Sequence, residues 1–268
     1  GYHRKAGEPH AEVMAIRNVK DKSLLKYSTL YCSLEPCAHY GKTPPCCELI
    51  SSHGIPHVVI GTGDPNSKVD GKGTAHLRNH GIKVDFAPSP EVYRQLNEVF
   101  WTNMTKKRPH FTLKWAENAS GHIDGNRTAE EKALSISGPL AALRTHQLRS
   151  SVDGILISSK TASLDSPGLT TRKWSGQSPT PIILLSQDFP LQREWLASLK
   201  VQPLIIGNKL PKGYSGINCN PSNLDEWVPK LLDFGLHHIL VEGGARVLQS
   251  FIDSDFADSI HRYVSKDQ

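Results

Sequence analysis

No stretch of this chain stays apolar for the roughly 20 residues that a membrane-spanning helix needs. Cysteine is scarce, with five in 268 residues, and the odd count excludes a complete disulfide framework. Aromatic residues make up only 7% and no basic stripe runs among them, which argues against a polynucleotide partner. The densest basic run, Lys106-Lys107-Arg108, is short and reads as a solvated linker. Two motifs are missing as well. There is no Cys-x-x-Cys knuckle of the kind that closes structural zinc sites, and no Gly-x-Gly-x-x-Gly turn.

What is present is ordinary for a globular protein: 38% hydrophobic residues, 21% charged ones and a formal net charge of +5. A mildly basic balance suits a phosphorylated small molecule, with neither nucleic acid nor membrane as partner. Four of the five cysteines (Cys32, Cys37, Cys46 and Cys47) crowd into sixteen residues. That crowding reads as metal binding in a reducing compartment, so a cytoplasmic location is expected, or a plastid if the source is a plant.

Along the chain, helical and strand-like segments alternate. A helix is expected from Ala11 to about Val19, a strand from Ser28 to Leu34, a Gly/Pro-rich loop from Glu35 to Pro45 and a helix from Cys46 to Ser52. Then come a strand from His57 to Gly61, a helix from Thr74 to His80, a strand from Ile82 to Phe86 and one helix from Pro90 to Asn103. Thr105 to Pro109 carries charge and proline without periodicity, and the boundary between two domains, 1–104 and 108–268, falls there. The second domain is expected to hold strands at Phe111 to Trp115, Gly154 to Ser158, Pro181 to Leu185, Pro203 to Ile206 and His238 to Val241. Helices are expected at Ser137 to Ser150, Leu224 to Phe234 and Ala245 to Ile252. A last strand near Ile260 to Val264 reads as lacking a partner, and both ends read as cut. Both domains are α/β with largely parallel sheets.

The chemistry concentrates near the start. Pro9-His10-Ala11-Glu12 places an imidazole and a carboxylate two residues apart at a helix start, and Pro36-Cys37 is followed after eight residues by Cys46 at the next one. One histidine and two thiolates give a three-ligand zinc site with an open fourth position. Zinc in such a site lowers the pKa of its water to about 7, and Glu12 is placed to move protons between that water, the ring and the leaving amine. This His-x-Glu and Pro-Cys pattern is the zinc-deaminase signature. On spacing alone either Cys46 or Cys47 could ligate; Cys46, directly after Pro44-Pro45, is preferred. A closed structural site with Cys47 or His39 as fourth ligand is the bland alternative.

The run Leu34-Glu35-Pro36-Cys37-Ala38-His39-Tyr40-Gly41-Lys42-Thr43-Pro44-Pro45-Cys46 resembles the bifunctional riboflavin-biosynthesis family of the RibD type. So do Gly7-Glu8-Pro9-His10-Ala11-Glu12 and Asp64-Pro65-Asn66 with Gly71-Lys72-Gly73. The resemblance continues through Arg108–Ala116, Ser158-Ser159-Lys160-Thr161, Leu164–Arg172 and Val241–Ala245. It implies a cytidine-deaminase-like three-layer α/β/α domain followed by a dihydrofolate-reductase-like α/β domain. It also implies NADPH as a cofactor beside the zinc, and separate sites handling successive intermediates suit homo-oligomeric assembly. The implied first step is loss of the 2-amino group of 2,5-diamino-6-ribosylamino-4(3H)-pyrimidinone 5′-phosphate. The second is reduction of the ribosyl side chain to give 5-amino-6-(5-phosphoribitylamino)uracil. By resemblance Glu12 is catalytic, and His10, Cys37 and Cys46 hold zinc. His3, His39, Lys42, Arg149, Leu169, Arg172 and Glu242 contact substrate, and Ala116, Thr161, Asp165, Gly244 and Ala245 contact NADPH. Two departures stand out: Asn118-Ala119-Ser120-Gly121 where the family has Ser-Leu-Asp-Gly, and Asp165-Ser166-Pro167 where it has Asp-Asp-Pro. The missing carboxylate at Ser120 motivates an alternative, a deaminase with a weak or inactive reductase domain.

Overall fold

The structure, a computed structural model, describes residues 1–4, 7–41, 43–66, 69–123, 138–186 and 189–265. It consists of two compact units, Gly1–Lys106 and Lys107–Gln268. In the first unit, parallel strands β1 (Thr29–Leu34), β2 (His57–Thr62) and β3 (Lys83–Phe86) lie in that order. Helices α1 (Ala11–Asn18), α2 (Cys46–Ser52) and α3 (Lys72–Asn79) bury Ile16, Ile50 and Leu77 with Val58 and Ile60 of β2. Side chains alternate across a strand, so Gly61 faces the other way. There α4 (Pro90–Leu96) approaches so closely that a β-carbon at Gly61 would sit 2.3 Å from the Tyr93 ring. The expected single helix from Pro90 to Asn103 is in fact α4 and α5 (Glu98–Lys106), separated where Asn97 leaves helical geometry at φ −125° and ψ 30°. A short 3-10 helix, Lys22–Tyr27, has no periodic signal in the sequence.

In the second unit seven parallel strands take the order β10-β4-β9-β5-β6-β7-β8 among the described residues. They are β4 (His110–Glu117), β5 (Gly154–Ser158), β6 (Thr180–Leu184), β7 (Leu204–Gly207), β8 (Gly216–Asn218), β9 (His238–Val241) and β10 (Ser259–Val264). The intervening helices are α6 (Pro139–Arg149), α7 (Ser159–Asp165), α8 (Arg193–Ser198), α9 (Leu224–Trp227) and α10 (Ala245–Asp253). Both faces are covered. Leu156 and Ile182 pack with Trp227 and Phe251 on one side, while their neighbours Ile155, Ile157 and Ile183 pack with Ala162, Trp195 and Leu196 on the other. Burial on both faces is why these strands read as continuous apolar runs and not as alternating ones.

Four further expectations need correction. The last strand has a partner: β10 pairs in register with β4 from Ser259 opposite Thr112 to Val264 opposite Glu117. Leu224 to Phe234 is one turn of α-helix, then a 3-10 helix from Pro229, whose ring nitrogen cannot donate to the preceding turn. The expected helix from Ser137 starts at Pro139, and Ser137 itself lies outside the described residues. Arg108 is not solvated. It is buried and forms a two-pronged pair with Asp258, at 2.5 and 2.9 Å, while the Phe111 amide donates to the same carboxylate.

Candidate active site

In the first unit the chemistry is gathered at three element ends. His10 caps α1, Cys37 lies in the loop after β1, and Cys46 opens α2 behind Pro45. The first turn of α2 fixes Cys37 through two amides: Cys46 N–H donates to its Sγ at 3.3 Å and Cys47 N–H to its carbonyl at 3.2 Å. His10 Nδ1 then lies 3.5 Å from Cys37 Sγ and 3.4 Å from Cys46 Sγ, and the three ligand atoms fall within 4.8 Å of one another. One imidazole and two thiols at that separation fit a single zinc ion. The hydrogen bond from the Cys46 thiol, aided by the Cys46 amide and His10, lowers the Cys37 thiol to about 5. The same shared proton raises Cys46. Cys47 is not in this set; it is buried against Ile16 and Ile50, and burial pushes its thiol up to about 11. His39 is not in the set either.

Glu12 stands one residue into α1, beside the cluster. Burial raises its carboxyl above the ordinary value, with the charge of Cys37 adding to it, and its side chain reaches the Cys46 thiol. A cavity of about 230 Å³ opens over His10 and Cys37 and is lined by His3, His39 and Thr43. The His3 ring meets that of His10 edge-on at 5.1 Å. His39 Nδ1 is enclosed and has no hydrogen-bond partner among the described residues. Lys42 lies outside the described residues.

Two residues here escaped the reading of the sequence. Thr43 Oγ1 lies 3.4 Å from His10 Nε2, the nitrogen turned away from the cysteines, and so helps orient the ring. Glu35 is buried, and its carboxylate accepts the amides of Gly71 at 3.1 Å and Thr74 at 2.8 Å. It thereby ties the start of α3 to the loop that carries Cys37. The approach is close: a β-carbon at Gly73 would sit 2.0 Å from the Pro36 carbonyl. A buried acid between a strand and a cysteine was the available signal.

In the second unit the candidates gather at the C-terminal ends of the strands, where ligands bind in parallel sheets. Glu242 follows β9 and receives both Arg149 Nε at 2.9 Å and a terminal nitrogen at 2.7 Å, while a further Arg149 nitrogen donates to the Thr170 carbonyl at 3.2 Å. Burial opposes the Glu242 carboxylate, but Arg149, with Lys114 behind it, outweighs burial and holds its carboxyl below the ordinary value. Lys114 on β4, absent from the expected set, is itself lowered by burial. Leu169, at φ 47°, is buried with Ile155, Ile157 and Trp195 and precedes the Thr170 carbonyl that Arg149 reaches, whereas Arg172 is exposed.

Gly244 caps α10 without any side-chain cap, and a β-carbon there would lie 3.7 Å from Thr161 Oγ1 on α7. Uncapped amides at the start of a nine-residue helix, with a hydroxyl beside them, fit the pyrophosphate of a dinucleotide. Ala245 opens that helix, Asp165 ends α7 and Ala116 lies near the end of β4. The departure at Ser120 sits in an exposed turn in which Asn118 Oδ1 accepts the Ser120 and His122 amides.

The RibD C-terminal domain profile matches residues 109–265, and the cytidine and deoxycytidylate deaminase zinc-binding region matches residues 1–62. The chain is 37% identical to the riboflavin biosynthesis protein RibD of Aquifex aeolicus, covering 99% of this chain and 76% of that protein. To the RibD of Actinobacillus pleuropneumoniae it is 31% identical, over 99% and 73%. The structure is similar to a diaminohydroxyphosphoribosylaminopyrimidine deaminase/5-amino-6-(5-phosphoribosylamino)uracil reductase from Thermotoga maritima. That likeness has a TM-score of 0.85 at 33% identity, over all of this chain and 76% of that one. Acinetobacter baumannii RibD gives a TM-score of 0.83 at 28% identity, over 98% and 75%. With a deaminase zinc region followed by a RibD reductase domain along one chain, this protein belongs to the RibD family of riboflavin-biosynthesis enzymes.

Proposed function

We propose that residues 1–104 deaminate 2,5-diamino-6-ribosylamino-4(3H)-pyrimidinone 5′-phosphate and that residues 108–268 reduce its ribosyl side chain, giving 5-amino-6-(5-phosphoribitylamino)uracil. The observation that carries the reading is the convergence of His10 Nδ1, Cys37 Sγ and Cys46 Sγ within 4.8 Å, beside the half-buried carboxyl of Glu12. His10, Cys37 and Cys46 hold zinc, which supplies Lewis acidity toward the attacking water. Glu12, with its proton affinity raised by burial, would take one proton from that water and pass it to the ring nitrogen, then take the second from the added hydroxyl and pass it to the departing ammonia. His3 and His39, from separate segments of the first unit, line the same cavity and, with Lys42, bind the ribose phosphate.

NADPH supplies the hydride for the second step. The amides at Gly244 and Ala245, with Thr161, hold its pyrophosphate, and Asp165 and Ala116 complete its contacts. Arg149 aims Glu242 at the substrate, Leu169 walls the site, and exposed Arg172 is the cation open to the substrate phosphate. The partner is thus a small phosphorylated pyrimidine, with neither nucleic acid nor membrane involved. No described helix is long and apolar enough to cross a membrane, and the five free cysteines support a cytoplasmic location. Assembly into a homo-oligomer belongs to the same reading, and light scattering on the eluting protein tests it.

Glu12→Gln tests the first step. The variant should keep its zinc, measured by elemental analysis, and release ammonia at least about 100-fold more slowly. Undiminished ammonia release would remove Glu12 from the mechanism.

A further inference from the structure

Three residues before Arg149 on α6, His146 is 4% exposed and has no part in the site described so far. We propose that His146 is a positioning residue of the reductase: from α6 it holds the Thr170 carbonyl beside Arg149, and so sets the loop that carries Leu169 and Arg172 against the Arg149–Glu242 pair. The inference rests on the reductase reading above and deepens it.

The loop after α7 needs holding. Ser166 and Leu169 both lie in the left-handed region, at φ 42° and 47°, which residues other than glycine keep only where their surroundings require it. On one side Leu169 packs with Ile155, Ile157 and Trp195, and Trp195 Nε1 donates to the Pro167 carbonyl at 3.2 Å. Further on, the Thr171 amide donates to Ser178 Oγ at 3.2 Å. The anchor at Thr170 comes from α6. Arg149 donates to its carbonyl at 3.2 Å, while its two bonds to Glu242 measure 2.9 and 2.7 Å. The tie to the loop is the longest of the three. Arg172 depends on that tie, because its side chain folds back over the loop: a β-carbon at Gly168 would lie 3.8 Å from Arg172 Nη1.

His146 supplies a second donor to the same carbonyl, whose two lone pairs can accept both. Residues three apart share a helix face, so the ring lies on the side of α6 that Arg149 uses. Its Nδ1 is enclosed without a hydrogen-bond partner among the described residues, and the ring bonds instead to the Thr170 backbone. Nε2 is therefore the nitrogen that carries the proton and donates it. Burial, with the charges of Arg149, Arg172 and Lys173 facing the ring, holds it below the ordinary histidine value. It thus donates as a neutral group and adds no further charge beside the guanidinium. A leucine would fill this space without an enclosed, unpartnered nitrogen, so packing alone does not call for histidine.

The test is steady-state NADPH oxidation on the deaminated ribosylaminouracil phosphate by the zinc-loaded chain and its His146→Gln, His146→Asn and His146→Leu variants. Glutamine carries an amide donor at the reach of Nε2, asparagine only at that of Nδ1, and leucine carries none. His146→Asn and His146→Leu should raise the KM for this substrate about 5- to 10-fold, with kcat and the NADPH KM within about twofold of the unaltered chain. His146→Gln should bring the substrate KM back to within about twofold. The glutamine and asparagine variants decide the matter even where the leucine variant does not fold. An unchanged substrate KM in His146→Asn, or equal impairment of His146→Gln and His146→Asn, would overturn the assignment while leaving the reductase intact. Absence of NADPH oxidation by the unaltered chain would take the reductase reading down with it.

Discussion

At the scale of single residues, the metal centre depends on which of two adjacent cysteines faces the histidine. Spacing alone left Cys46 and Cys47 open, because neighbouring residues at a helix start point about 100° apart and the sequence does not state the phase. The structure turns Cys46 toward His10 and packs Cys47 into the apolar cluster with Ile16 and Ile50. Cys46→Ala should therefore abolish both zinc binding and ammonia release. Cys47→Ala should keep its zinc and lose about 1 kcal/mol of stability, read from denaturant unfolding. Equal zinc loss in the two variants would contradict the placement. Residue-scale chemistry was legible wherever a motif carried it: His10, Glu12 and Cys37 could be named from spacing, and Cys46 from its place directly after Pro44-Pro45. Thr43 and Lys114 could not, since a hydroxyl beside a loop and a lysine in a strand resemble many surface residues until the fold buries them.

At the scale of elements, the strands were the most legible part, because sheets covered on both faces require apolar runs such as Ile155-Leu156-Ile157 and Ile182-Ile183-Leu184. Breaks were harder to see. Asn97 splits a helix that apolar periodicity would continue, α7 begins in the polar run Ser159-Lys160-Thr161, and β8 has only three residues. Glu35 shows how such elements are positioned. Its buried carboxylate satisfies two amides at the start of α3, so Glu35→Ala would strand both. The cost should be about 1–3 kcal/mol in denaturant unfolding. Zinc affinity should fall along with stability, because the loop bearing Cys37 loses its tie to α3. Unchanged zinc affinity would show that the loop holds its shape without that tie.

A histidine at the base of the reductase sheet carries a pH signature. Burial, with neighbouring His110, holds His238 down to about 4 from its ordinary 6.5, and its Nε2 lies 2.8 Å from Thr112 Oγ1. As the pH falls from 6.5 to 4 the unfolded chain takes up this proton before the folded chain does. Stability is therefore full above 6.5 and declines across that window by up to about 3 kcal/mol. His238→Gln should flatten this part of the pH–stability curve, and a curve of unaltered slope would assign the loss to other groups.

At the scale of the whole molecule, two units with separate hydrophobic clusters carry two chemistries with different requirements: a three-ligand metal centre in one, and a strand-end cleft with an uncapped helix start in the other. The two-domain α/β organisation was readable from alternating segments on either side of the proline-bearing stretch near Pro109. The role of Arg108 was not, because a basic run looks solvated until its partner arrives 150 residues later. The most direct test of the account is to give the zinc-loaded chain the diaminopyrimidinone ribosylamine phosphate with NADPH and follow ammonia release and NADPH oxidation in the same cuvette. The account predicts both signals, ammonia first, with a zinc chelator abolishing ammonia release while NADPH oxidation persists on substrate that is already deaminated. Absence of both signals from a folded, zinc-loaded chain would contradict it.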